Sequence, residues 1–200
     1  MFNAAFLEQC ADTAVKVEIV ERFIAAVGTE NPLAISITSG NRVILPDPPR
    51  TAEEAARLAR RFVGQAVVRA GVTGFPVGVG ISEASEITAD LFDACKNIRI
   101  GTALFGKVYR IVAHARGAEN DAVLGDALEA WRTGQFEDVY VFAEPDPGAL
   151  PADDQNNAAP EAAPAPADEN LTVPEPETAD PNTAGIRVTL PDAMSQEEAH

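Results

Sequence analysis

Aromatic side chains are missing beyond residue 142: every Phe, Tyr and Trp lies at or before Phe142. Bases are almost missing there as well. From Glu144 to His200 there are 13 acids against one base, Arg187, which accounts for −12 of the formal net charge of −16. A segment with few apolar groups and a large net charge cannot bury enough surface to offset its ordering entropy. The expected organisation is one compact domain at 1–143 and a disordered tail at 144–200, rich in proline, alanine and acid. Roughly 140 residues is a common size for a domain with one proper core.

Cysteine is scarce too. Two cysteines, Cys10 and Cys95, exclude the disulfide framework of a small secreted scaffold. Both sit among apolar residues (Phe6, Leu7; Leu91, Phe92), which predicts buried thiols. A bridge between them is open but is not readable from the sequence. Histidine is limited to His114 and His200, and no HExxH, CxxC or Cys/His spacing occurs. Metal sites with nitrogen or sulfur ligands are therefore not expected, and no cofactor is implied. No GxSxG elbow is present. Long apolar runs are lacking as well, so no membrane span is expected. The opening MFNAAFLEQCAD has no basic stretch and is interrupted by Glu8, which argues against a secretory signal. A soluble, cytoplasmic protein is the expectation.

What is present is helical and strand periodicity before residue 143. Residues 2–11 and 14–27 read as two helices, the second with Val20, Phe23, Ile24 and Val27 on one stripe. Asp12 or Thr13 is placed to cap it and Gly28 to end it. Leu33, Ile35 and Ile37 alternate with polar or small residues, and Ser39-Gly40-Asn41 leads into Arg42-Val43-Ile44-Leu45. That is the signature of an antiparallel hairpin. Thr51-Ala52-Glu53-Glu54 forms a capping box, opening a helix expected to run from Ala52 to about Ala70, its apolar face including Ala66 and Val67. A strand is expected at 76–81, and a long core helix at 89–115 capped by Thr88 and ended by Gly117. A helix at 121–132 ended by Gly134 and a strand around 139–142 complete the domain. The fold class is α+β: a small, mainly antiparallel sheet packed against helices.

Few residues invite a chemical reading. Arg57, Arg60 and Arg61, with Arg50 nearby, form a basic patch on one helix face. Pairing of Arg57 with Glu53 and Glu54 is the plain expectation; a dock for the chain's own acidic tail, or for an anionic partner including nucleic acid, is the sharper one. His114 shares the polar side of its helix with Lys107 and Arg110 and reads as a solvated histidine near a helix C-terminus. The glycines at 71, 74, 78 and 80 match neither GxGxxG nor GxxxxGK[ST] and read as structural. In the tail, Ile186, Val188 and Leu190 alternate with Arg187 and Thr189 within 185–191, a pattern suited to strand addition on a partner or on this domain's own sheet. Carboxylates such as Asp90, Asp93 and Glu129 read as solvated helix residues, with an enzyme site built on them as the alternative.

Four segments together resemble a known family. They are MFNAAFLEQCAD, Val63-Gly64-Gln65-Ala66-Val67-Val68-Arg69, Phe75-Pro76-Val77-Gly78-Val79-Gly80, and the helix from Leu91 through Cys95, Asn97, Ile98 and Gly101 to Ala103. In these the chain is similar to the TraH family of rhizobial and agrobacterial plasmids, over about residues 1–143, with the tail outside. The resemblance implies a role in conjugal plasmid transfer and no catalytic residues. The expectation is a non-enzymatic accessory protein that binds other proteins, components or regulators of the conjugation machinery. Arg57, Arg60, Arg61, Ile186, Val188 and Leu190 are its candidate contact residues. Direct nucleic-acid binding is disfavoured by the negative charge; a DNA-associated factor using the arginine face is the runner-up.

Overall fold

A computed structural model describes residues 2–150. Five α-helices are present among them: α1 (Ala4–Cys10), α2 (Val17–Val27), α3 (Ala52–Phe62), α4 (Ala94–Arg116) and α5 (Asp121–Thr133). A four-stranded sheet has the order β2-β1-β3-β4, built from β1 (Ile35–Ser39), β2 (Arg42–Ile44), β3 (Val67–Ala70) and β4 (Phe75–Val77). All its pairings are antiparallel. A separate hairpin joins β5 (Gln135–Phe136) to β6 (Val139–Tyr140). Two 3-10 turns, Ala84–Glu86 and Ala89–Phe92, lead into α4. The class is the expected α+β with a small antiparallel sheet.

Register decides which residues reach the core. Ile37 pairs with Val68 and Val68 with Val77, while Ile35 pairs with Ala70 and Ala70 with Phe75. Side chains alternate across a strand, so these form one inner face, and Ile37, Val68, Ala70, Phe75 and Val77 are buried. Ala55, Ala56 and Ala59 of α3 lie in the same core, small enough for the helix to approach closely. The helical side of that core is aromatic. Phe23 stacks on Phe105 with centroids 4.1 Å apart, and Trp131 meets both edge-on.

α4 is the axis of the domain. Its buried stripe runs through Ile98, Thr102, Phe105, Tyr109 and Val112, the residues whose spacing predicts it. Asp93, rather than Thr88, caps it by accepting from the Lys96 amide at 2.8 Å. The chain from Ala89 to Phe92 is a 3-10 turn instead of a first helical turn. Gly117 and Gly134, both left-handed, end α4 and α5 as expected.

Four elements differ from the sequence reading. The strand expected at 76–81 is β4, Phe75–Val77, and the chain turns from Gly78, a glycine at φ +107°. α3 stops at Phe62, and Val67–Ala70, expected to continue it, is a strand inserted between β1 and β4. The expected last strand is a two-residue hairpin arm, reached through a tight turn at Glu137 and Asp138 with φ of 47° and 67°. The cap foreseen for α2 is absent: Lys16 holds that position without a side-chain bond, and Asp12 instead accepts from the Ala14 amide at 2.9 Å.

Cys10 and Cys95 are not free thiols. They form a disulfide, with Cα atoms 4.9 Å apart, that ties the last residue of α1 to the first turn of α4. Leu7, Val20, Val72 and Ile98 pack around it as a second apolar cluster. No described helix is long and apolar enough to cross a membrane.

Candidate interaction surfaces

The arginine face of α3 is built by its cap. Thr51 Oγ1 accepts from the Glu54 amide at 3.2 Å, and the Glu54 carboxylate reaches back to the Arg50 amide at 2.8 Å. This leaves the expected pairs from Glu53 and Glu54 to Arg57 unmade. The three arginines then part company. Arg60 donates from Nε to the Ile87 carbonyl at 2.7 Å, clamping the segment before α4. Arg61 lies over the Phe62 ring, 5.5 Å from its centroid. Arg57 points into solvent with no partner among the described residues. All three are exposed, but Arg60 is tied to the framework, and the face keeps two cations without a hydrogen-bond partner among the described residues rather than three.

The outer side of the sheet carries a different surface. Thr38 pairs with Val43 on one side and with Val67 on the other, so Val43 and Val67 share the face opposite the core. Leu45, two residues beyond Val43, follows the same alternation. These side chains are 66%, 60% and 88% exposed. β2 is also an edge strand of the sheet among the described residues. An unpaired edge beside exposed apolar groups is a template for an extended chain.

The polar side of α4 is occupied. Lys107 Nζ donates to the carbonyls of Phe142 and Glu144 at 2.8 and 2.7 Å. Arg110 forms a two-pronged pair with Asp146, through Nε at 2.8 Å and through Nη2. His114 Nε2 lies 3.1 Å from the Gly148 carbonyl. His114 is exposed, as expected, and also meets this carbonyl, and the chain past residue 143 to Gly148 runs along α4. The two Arg110 hydrogen bonds, with the Gly148 amide, hold the Asp146 carboxyl down to about 2. Hydrogen bonding to Asp146 raises Arg110 in turn. Nearby, Lys16 pairs with Glu119 at 3.2 Å, and burial pushes the Tyr109 hydroxyl up, so it stays neutral.

Arg69, named above only as the end of a segment that carries the resemblance, makes several tertiary contacts. It donates to the carbonyls of Gly74, Trp131 and Arg132 at 3.1, 2.5 and 2.8 Å. Two of these are last-turn acceptors of α5, where a cation suits the helix dipole. Burial lowers its pKa, though a guanidinium stays charged regardless. Its role is to lock β3 to the end of α5. Asp90, Asp93 and Glu129 are each engaged locally: Asp90 with Lys96 at 2.7 Å, Asp93 as the α4 cap, Glu129 with Arg132 at 3.7 Å. Among the described residues no group of His, Cys, Asp and Glu is arranged to hold a metal ion. Gly71 is structural: at φ +73° a Cβ there would lie 2.2 Å from Asn97 Nδ2. Ile186, Val188 and Leu190 lie outside the described residues.

Comparison with known proteins extends these observations. The TraH_2 family model matches residues 1–193. The match continues through the acidic tail, so the expectation that the likeness ends near residue 143 is corrected. The chain is 49% identical over 160 residues to "Uncharacterized protein y4dP" of Sinorhizobium fredii (strain NBRC 101917 / NGR234), covering 78% of this chain and 80% of that one. No solved structure matches. The chain belongs to the TraH family, and its role is related to conjugal transfer.

Proposed function

We propose that the protein serves conjugal transfer by binding other proteins of the conjugation machinery, without catalysing a reaction. The observation that carries this reading is the edge of the sheet. β2 offers unpaired backbone groups along one side, while Val43, Leu45 and Val67 present apolar side chains that water solvates poorly. An extended partner segment added to β2 gains main-chain hydrogen bonds from the edge and apolar burial from the face. Catalysis and direct nucleic-acid contact are not part of the proposal.

The test is a paired experiment in donor cells. Leu45→Asp places a charge on the face without touching the core. It is expected to abolish crosslinks from the β2 edge to transfer components and to reduce plasmid transfer. Crosslinks and transfer at the parental level would defeat the reading.

A DNA-associated role retains one supporting observation, the unpartnered Arg57 beside Arg61 on an exposed helix face. Gel shifts at low salt with Arg57→Ala/Arg61→Ala decide it. Binding that falls in the variant favours DNA; no binding by either protein ends that alternative.

We place the action in the cytoplasm, and the disulfide sets a condition on that placement. Cytosolic reductants keep most thiols reduced. Cys10 is only 1% exposed and Cys95 is half-buried, so a reductant's direct approach is limited to the Cys95 side.

A further inference from the structure

The polar stripe of α4 and the segment it holds match one another in spacing. Lys107, Arg110 and His114 are three and four residues apart, on one face of the helix. Lys107 to His114 spans about 10 Å of helix. The acceptors they meet, at Glu144, Asp146 and Gly148, are two residues apart along the chain, a stretch that spans at most about 13 Å. Every donor in these contacts is on α4 and every acceptor is on the segment: the backbone carbonyls of Phe142, Glu144 and Gly148 and the carboxylate of Asp146. Pro145 and Pro147 have no amide hydrogen and favour an extended, polyproline-like backbone. Such a segment turns acceptors toward a basic helix while offering it few donors.

Between Phe142, which is buried, and Leu150, which packs against the core, the segment is held by these contacts rather than by burial. Residues 143–149 are all exposed. An open cavity flanks it on each side. One, of about 380 Å³, has Val15, Ile19 and Tyr109 in its wall; the other, of about 370 Å³, has Ile111, Phe136 and Val139. The small residues of the segment leave both unfilled.

We propose that this face of α4 is a recognition site for an acidic, proline-spaced segment of a partner protein, and that Glu144–Gly148 occupies it in cis as a displaceable mimic. The partner segment carries an aspartate or glutamate between prolines for Arg110. It also carries a larger apolar residue on one or both sides to enter the cavities. This surface is separate from the β2 edge, and its test does not depend on that reading.

The experiment uses the full chain and a fluorescein-labelled peptide with the sequence of residues 141–150, read by fluorescence anisotropy. Asp146→Asn and Asp146→Ala release the cis segment from Arg110. Both variants are expected to bind the peptide about three- to fivefold more tightly than the unsubstituted protein, the gain that loss of a solvent-screened pair allows. Adding Arg110→Ala to either is expected to remove binding. A peptide with Asn in place of its Asp is expected to bind about three- to fivefold more weakly, and raising salt from 50 to 500 mM to weaken the parent peptide's binding. Absence of peptide binding by both Asp146 variants overturns the proposal, as does binding that survives Arg110→Ala. If an oligonucleotide binds the Asp146 variants and the peptide does not, the face is a phosphate site and the proposal fails. Should circular dichroism show both Asp146 variants unfolded, the segment is an integral part of the domain, and the proposal fails as well.

Discussion

Cys10 is disulfide-bonded to Cys95, closing a loop of 85 residues between the end of α1 and the first turn of α4. α1 is only 7 residues long and buries two side chains, Leu7 and Cys10. An isolated helix of that length is not stable in water. Its place on the domain therefore depends on the small cluster around Leu7 and on the covalent link.

From the loop length, chain entropy alone predicts that removing the link costs about 4–5 kcal/mol. Cys10→Ala/Cys95→Ala and the reduced parent protein are both expected to lose stability of this order in denaturant unfolding. Amides of residues 4–10 are expected to lose exchange protection first. Equal unfolding midpoints with and without reductant would contradict the prediction. Alkylation of freshly lysed cells under acid quench reports which form exists in the cell.

Asn97 holds a buried polar node that no other side chain replaces. Its Oδ1 accepts from the Thr73 amide and hydroxyl, both at 2.9 Å, and its Nδ2 donates to the Ala70 and Leu91 carbonyls at 3.2 and 2.9 Å. It thereby joins the β3–β4 turn to the entry of α4. Asn97→Ala strands these groups away from water, at a cost of about 3 kcal/mol or more. Asn97→Asp presents a carboxylate to two carbonyls and is expected to be at least as damaging. Urea melts of both variants check this. A loss under 1 kcal/mol for Asn97→Ala means that solvent reaches the node.

The helices α4 and α5 were legible in the sequence because their stripes are long and each ends in a glycine that takes a left-handed conformation. The β1–β2 hairpin was legible through Gly40-Asn41 and the alternation around it. β3 was not. Ala66 and Val67 continue the four-residue spacing of Leu58 and Phe62, and a short apolar run does not separate helix from strand. The deciding signal is Gly64, at φ +79°, followed by the adjacent valines Val67 and Val68. The disulfide and the contacts on the polar side of α4 escaped for a different reason. Cys10 with Cys95, and Arg110 with Asp146, are brought together by tertiary packing, and nothing local in either stretch names its partner.

The β5–β6 turn places Glu137 and Asp138 in the left-handed region. Two-residue turns of this kind prefer Asn-Gly or Asp-Gly. Arg116 offsets the mismatch by pairing with Glu137 at 2.9 Å and lying 5.1 Å from the Phe136 ring centroid. Asp138→Gly keeps the Arg116 contacts and relieves the backbone. It is expected to stabilise the protein by up to about 1 kcal/mol, since relief of φ outweighs the added chain entropy. A rise in thermal midpoint checks this, and a fall would show that the Asp138 side chain makes a contribution larger than the strain.

The last prediction concerns acid. The Asp146 carboxyl is held at about 2, below its ordinary 3.8, first by hydrogen bonds from Arg110. A depressed carboxyl binds its proton more readily in the unfolded chain. The stability it contributes is therefore complete above about pH 5 and fades as pH falls through 4 toward 2. Side-chain exposures of 20% for Arg110 and 41% for Asp146 mean that solvent screens the pair. The loss for Asp146→Asn at pH 7 is therefore expected to be about 1 kcal/mol or less. Carboxyl-carbon NMR should show Asp146 titrating near 2 in the parent protein and returning toward the ordinary range in Arg110→Ala. The amide of Gly148, which donates to Asp146 at 3.0 Å, should shift along the same curve. A parent titration near 4 would mean that the α4 contact is open in solution most of the time.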